Sequence, residues 1–484
     1  MPFPFTLPTT SSFTFSSSFQ SDSHPSLPLG TSDHRARLRD TLKKHKRLPA
    51  TSQPADLPAV VAATNSYLPY LFALDAGLSR RPLLNDHISL SPTSTPSIEW
   101  RPTLSDNAIP GRETARVKLQ SLENELSFTL ATLGYTHSQL ARAALHPLYS
   151  TSEASLSAQA RTAAITTASK HLLDAASVHS YLAKRGESHV TAPPCPDIAQ
   201  STAKALSLLA LAEAIILAVL KDDPYPAIVA QDRNQNDREW MYRAPEIPKV
   251  RVHLLARLCL AAADHAAQAS SLCQSLPAKG ISKLNDGFLK YLEDFRKTCR
   301  AKACRFLGLD ADMSGQTGTA IGWLRTGLQE LGVESTEAKK GLSLSRMKKD
   351  WSERREDKKV EKGTTWGSDG GKFEEIRILE MLNAKWSKMN DTMLTQTVPA
   401  PPTLLAGLPS GRDPYSVKTY EPPELDKEVL DAMRAPPRHE SVSDDHLDGG
   451  MSSGDEDRQA TPQPVGAFPS TQGDYRTESA RSYY

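Results

Sequence analysis

His171 and His179 stand two turns apart in an alanine-rich run whose periodicity predicts one helix. Imidazoles are common zinc ligands, but two side chains that far apart on one helix cannot hold an ion between them. No neighbouring set of Cys, Asp or Glu completes a tetrahedral site in the sequence. Cys299 and Cys304 do not share a helical face, so they form no ligand pair either. The stretch SGQTGTAIG, Ser314 to Gly322, is rich in glycine. It lacks the lysine of a phosphate-binding loop and reads as a helix entry whose small residues allow close packing. No H-E-x-x-H, G-x-S-x-G, G-x-x-x-x-G-K-[ST] or strand-linked G-x-G-x-x-G motif occurs. The sequence therefore offers no catalytic residue, metal ligand set or cofactor motif. A non-enzymatic binding scaffold is the leading expectation, and a helical enzyme with an unrecognised site is the alternative of another class.

The elements that would carry such a scaffold follow from composition. The chain has 484 residues, 39% of them apolar, with 35 prolines and a formal net charge of +1. That supports a large folded core with proline-rich stretches beside it, and gives no reason to expect a nucleic-acid partner. The five cysteines form no C-x-x-C pair, which fits reduced thiols and a cytoplasmic location. The N-terminal MPFPFTLPTT lacks a basic start and reads as no signal peptide. The longest apolar run, Ala205 to Leu220, carries Glu213 and is short for a bilayer span. It is expected to be a buried helix, with membrane contact only through partners.

Strand-like alternation marks Phe13, Phe15 and Phe19, and again Ser97 to Trp100. The basic stretch His34 to Arg47 reads as a solvated helix face. Pro54 and Pro58 read as a linker. Helical spacing covers Arg112–Ala144, Ser155–Lys184, Asp197–Lys221, Val250–Leu276, Lys283–Phe306, Thr317–Leu331 and Phe373–Met393. Asp222 to Pro248 reads as a loop. Without a fixed repeat, the expected fold is mainly α: a curved, irregular, TPR-like helical solenoid with a small β element near the N-terminus. The helical domain is placed at 1–420, with a charged and flexible insertion at 334–372. Residues 421–484 form a disordered tail, acidic through Asp457.

Five segments then resemble the Bro-one domain (ALIX-like) family, in the family's order from Trp100 to Leu404. SPSIEW precedes the long helix SLENELSFTLATLGYTHSQLA, in which Glu125, Ser127, Leu130, Ser138, Gln139 and Ala141 match. In ASKHLLDAAS, Lys170, His171 and Ala175 match. ALSLLALAEAIILAVLK, LLARLCLAAADHA and NDTMLTQTVPAPPTL follow. The shortness of the chain is similar to the family's fungal pH-response regulators. The resemblance implies a cytoplasmic adaptor recruited to the cell cortex, plasma membrane or endosomes. It would bind the C-terminal amphipathic helix of the polymer-forming ESCRT-III subunit. It would link that subunit to a plasma-membrane pH-sensing complex and promote proteolytic activation of the PacC transcription factor. An endosomal cargo-sorting adaptor is the other role within the family.

The residues themselves point to a groove. Ala205–Lys221 and Val250–Leu276 are apolar around more than one face, whereas a solenoid helix buries one stripe or two. Leu254 and Leu258 share a face one turn apart and would form an exposed apolar strip if Leu255, Cys259 and Ala262 pack inward. The family resemblance places Ala218 and Val219 on the same groove. LPSGRDP, Leu408 to Pro414, reads as a tight turn with Gly411 at positive φ, holding Arg412 out towards an acidic partner. Leu404, Leu405, Leu408 and Tyr415 imply that Ala400 to Pro423 docks on the solenoid.

Overall fold

The computed structural model describes residues 2–84, 86–106, 113–149, 157–188, 192–226, 247–275, 283–333 and 366–436. Its helices are α1 (Leu27–Arg47), α2 (Gln53–Leu78), α3 (Leu122–Leu145), α4 (Ala158–Gly186), α5 (Gln200–Asp222) and α6 (Lys249–Gln274). They continue with α7 (Asp286–Met313), α8 (Thr317–Glu330), α9 (Lys372–Met389), α10 (Pro401–Leu405) and α11 (Lys427–Ala432). From α1 to α9 each helix packs on the next, which makes the array a solenoid.

Local chemistry starts the long helices where the sequence allows. Ser121 caps α3 by accepting the Asn124 N–H at 3.2 Å, and Glu123 and Glu125 sit in its positively polarised first turn. Ser157 caps α4 and Asn285 caps α7 in the same way. Helix α9 begins after Trp366–Gly371, where Asp369 Oδ2 accepts the Phe373 N–H at 2.9 Å. Gly370 has φ +64°, and any Cβ on it would lie 2.7 Å from the Phe295 Cα, so only glycine fits against α7. The described residues resume at Trp366, before the expected end of the charged insertion. That insertion's remainder, 334–365, lies outside the described residues.

The β element is small. Strand β1 (Thr9–Thr10) pairs antiparallel with β4 (Ile98–Arg101), which pairs with β5 (Val117–Leu119); β2 (Phe19–Ser21) pairs with β3 (Leu90–Pro92). The expected strand at Phe13–Phe19 is thus shorter. Phe15–Ser17 is a 3-10 turn, because the Phe15 N–H donates to Ser32 Oγ on α1 at 2.8 Å and not to a strand. Trp100, fully buried on β4, stacks on Phe128 of α3 at 5.2 Å and donates its indole N–H to Glu125. Glu125 also accepts from Arg35 at 2.8 Å and Tyr67 at 3.0 Å, so one buried carboxylate ties α1, α2 and the sheet to α3. Arg35 and His45 are buried exceptions in the otherwise largely solvated basic face of α1.

Helix α2 overturns the linker reading of Pro54 and Pro58. Pro54 falls in the first turn, where its missing N–H costs no hydrogen bond. Pro58 and Pro69 lie inside the helix, and burial of Leu57, Val60, Tyr67, Leu68 and Leu71 offsets their cost. Helices α2 and α5 are long and apolar enough to cross a membrane by length and composition. Here both are layers of the stack, and α5 is enclosed between α4 and α6.

The compact unit runs to Ala435, past the boundary expected at residue 420. Leu425 and Leu430 are buried, and the Ala435 N–H donates to Ser23 O at 2.8 Å. Those apolar residues supply the burial that holds α11 near α1 despite the prolines before it. The expected tail from 437 onward lies outside the described residues.

Candidate functional site

The candidate groove lies between α5 and α6. Arg251 Nη1 sits 3.3 Å from Asp222 Oδ2, which places the end of α5 beside the start of α6. Ala218 and Leu254 therefore lie at the same end of the helix pair, and both are half-buried. Val219 and Leu258 are buried in the core, at 1% and 7% exposure. Val219 turns towards α7 and shares a small internal void with Phe295, Thr298 and Cys299. Leu258 closes the interior with Leu255 and Cys259, so the strip the spacing predicts is narrower than expected. Val250, one turn before Leu254, is 90% exposed and extends the strip in the other direction. The sequence signal for Val250 was its i−4 relation to Leu254.

The segment after α9 decides what else of this face is open. Asn390 opens it: its side chain donates to Gln396 O and accepts the Gln396 N–H, both at 2.9 Å, closing a π-helical turn, Asn390–Leu394. The chain then runs as a strap over α8, where Gly318 and Gly322 leave room for Thr397, Pro399 and Leu404. That is the close packing expected of SGQTGTAIG. On α6 the Arg412 N–H donates to Arg257 O at 3.1 Å, Arg257 Nε donates to Ser410 O at 2.9 Å, and Asp413 Oδ1 meets His265 Nε2 at 2.7 Å. Val417 packs on Ala175, Ala176 and Ala210, and Tyr420 on Tyr181 at 5.3 Å. The expected docking of Ala400–Pro423 is what the structure shows.

The expected tight turn at Leu408–Pro414 is absent. The stretch is extended, and Gly411 does not have positive φ. Glycine is required there because a Cβ would lie 2.8 Å from the Ala261 backbone N. Arg412 is exposed, and among the described residues its guanidinium has no ion-pair partner, since Asp413 pairs with His265 instead. Leu254, Arg257, Leu258, Ala261 and His265 form one stripe of α6. The strap covers it from Arg257 onward and leaves its Val250–Leu254 end open.

Charge is handled inside by pairing. Arg305 of α7 is fully buried, donating to Asp223 at 2.5 Å and to Glu375 of α9 at 2.6 Å, while Lys302 reaches Glu375 at 2.7 Å. This network fixes the end of α5, and with it Ala218. The histidines part company with the sequence reading. His179 is buried against Gly134 and Tyr135, and burial lowers its pKa to about 3. His171 instead faces His137 of α3, with the two Nδ1 atoms 3.3 Å apart. That pairing crosses helices, so no spacing along the chain announced it.

The fold is a sheet-capped helical stack with a C-terminal strap laid along it. A model described as BRO1-like domain matches residues 32–406, and the chain belongs to that family. It is 40% identical over 506 aligned residues to the pH-response regulator protein palC of Emericella nidulans, across 97% of this chain and 98% of that protein. Solved structures of other proteins share the fold. The structure titled ALIX BRO1 CHMP4C complex superposes with a TM-score of 0.50 at 16% identity, covering 87% of this chain and 96% of that one. ALIX in complex with the SIVmac239 PYKEVTEDL late domain gives 0.53 at 15% identity, covering 87% of this chain and 49% of that longer one.

Proposed function

We propose that this chain is a non-enzymatic adaptor in pH-response regulation. It binds the C-terminal amphipathic helix of a polymer-forming ESCRT-III subunit and links it to a plasma-membrane pH-sensing complex, promoting proteolytic activation of the PacC transcription factor. The observation that carries this reading is the near full-length relation to palC within the BRO1-like family. The ALIX BRO1 domain, which shares the fold, is titled as a complex with CHMP4C, a precedent for the partner class.

The surface is chemically suited to such a helix. Val250 and Leu254, one turn apart, and Ala218 on the neighbouring helix offer a short apolar strip. Arg257 and the exposed Arg412 border it with positive charge. An amphipathic helix with an acidic polar flank would place its apolar residues on the strip and its carboxylates on those arginines. On this reading the protein works in the cytoplasm and reaches the cell cortex or endosomes through its partners.

The test is titration of a labelled C-terminal ESCRT-III helix into the full chain. Saturable binding that Leu254→Asp removes, with the helical circular dichroism unchanged, supports the reading. Equal binding by parent and variant would reject the site.

A further inference from the structure

We propose that His137, His171 and Asp174 form a binding site for a divalent transition metal, with zinc the best fit. One ligand atom from each residue lies within 4.8 Å of the other two. His137 comes from α3, and His171 and Asp174 come from α4, so the site spans a helix–helix interface.

The geometry fits a metal. The two Nδ1 atoms are 3.3 Å apart, within hydrogen-bond reach of each other. Two nitrogens bound tetrahedrally at zinc distances are separated by roughly the same 3.3 Å. His171 and Asp174 are three residues apart on one helix, so both side chains reach the same point beside α3. Two imidazoles and one carboxylate make a three-ligand set that leaves a fourth position for water or a second protein.

Lys170 and Lys418 are cations close to Asp174, Lys418 coming from the strap. A bound dication would work against them, so the site should be of moderate affinity and sensitive to the strap. All three ligands are partly exposed, so an ion has access.

The experiment uses the full chain stripped with chelator and then titrated with zinc by calorimetry. Cobalt(II) serves as a spectroscopic probe in parallel. One equivalent binding in the micromolar range or tighter is expected, with visible cobalt bands of tetrahedral intensity. His137→Gln and Asp174→Asn should each weaken zinc binding roughly tenfold or more, since even loss of an outer-shell partner costs that much. Both should abolish the cobalt bands. Asp174→Asn nearly conserves shape, so it remains informative if His137→Gln fails to fold. Absence of stoichiometric binding in the parent, or unchanged affinity and cobalt spectrum in a folded variant, would overturn the proposal and leave a histidine pair that is purely structural.

Discussion

The main-chain N–H of Arg412 reaches the carbonyl of Arg257 at 3.1 Å, fastening a strap from the chain's C-terminal part to the middle of α6. Because the bond is backbone to backbone, close approach is the condition for it, and Gly411 supplies that approach. Gly411→Val should lift the strap. We expect a loss of about 1–3 kcal/mol, the usual cost of overpacking, read as a lower melting temperature. Hydrogen exchange across Leu404 to Tyr415 should accelerate with it. Unchanged exchange would mean that the strap is held elsewhere.

Leu254 and Leu258 should behave differently although one turn separates them. Leu254→Asp keeps its charge at a half-exposed edge and should leave the thermal midpoint within a few degrees of the parent. Leu258→Asp buries an unpaired carboxylate and should cost several kcal/mol, with loss of helical signal on mild heating. Val250→Asp should behave like Leu254→Asp. Circular dichroism melts of the three variants check the assignment, and an equally stable Leu258→Asp would contradict it.

Arg412→Ala should leave stability unchanged, since its guanidinium is exposed and unpaired among the described residues. It should weaken binding of an acidic amphipathic helix at low salt by at most about 1 kcal/mol, and by less at high salt. Affinities at two ionic strengths test this. A salt-independent effect would point to packing rather than charge.

The Arg305 network should be far less tolerant. Arg305→Met leaves Asp223 and Glu375 buried with Lys302 as their remaining cation, and removing one partner of such a pair typically costs about 3–5 kcal/mol. Urea unfolding should show a lower midpoint with an unchanged slope. A loss below about 1 kcal/mol would mean that water reaches the site.

Acid should destabilise the stack through His179. Its pKa is depressed in the folded chain by burial, so the unfolded chain binds the proton more tightly. Its contribution is complete above about pH 6.5 and is lost as pH falls towards 3. For a fully buried ring this amounts to as much as roughly 4–5 kcal/mol. His179→Gln should flatten that part of the stability profile, checked by melts between pH 7 and 4. A parallel shift of the whole profile would indicate lost packing alone.

What the sequence disclosed and what it withheld divides by range. The long helices were legible because Leu122, Leu126, Leu130 and Leu133 repeat at helical spacing and bury on that face. Docking of the strap was legible from Leu404, Leu408 and Tyr415, which are too apolar for a free linker. Helix α2 was hidden because its prolines are local breakers whose cost only tertiary burial offsets. Of the candidate groove residues, Leu254 and Ala218 are half-buried, while Leu258 and Val219 turned inward. The rotation of a helix within its stack depends on both neighbours and cannot be read from one stripe. His137 and His171 met only once α3 lay on α4.

The strap also bears on how the molecule is made. Its last contacts join Ala435 to Ser23 and Arg434 to Asp86, so residues from opposite ends of the chain must both exist before they can form. Helices α1 to α9 depend on neighbours made just before them and can pack in order as they leave the ribosome. The strap cannot. A nascent chain will therefore carry the stripe of α6 from Arg257 to His265 without its strap until Ser410 to Asp413 have been made. The interval between synthesis of α6 and closure of the strap is when this protein is most exposed to misassembly, and chaperones that recognise apolar helical surfaces would find it there.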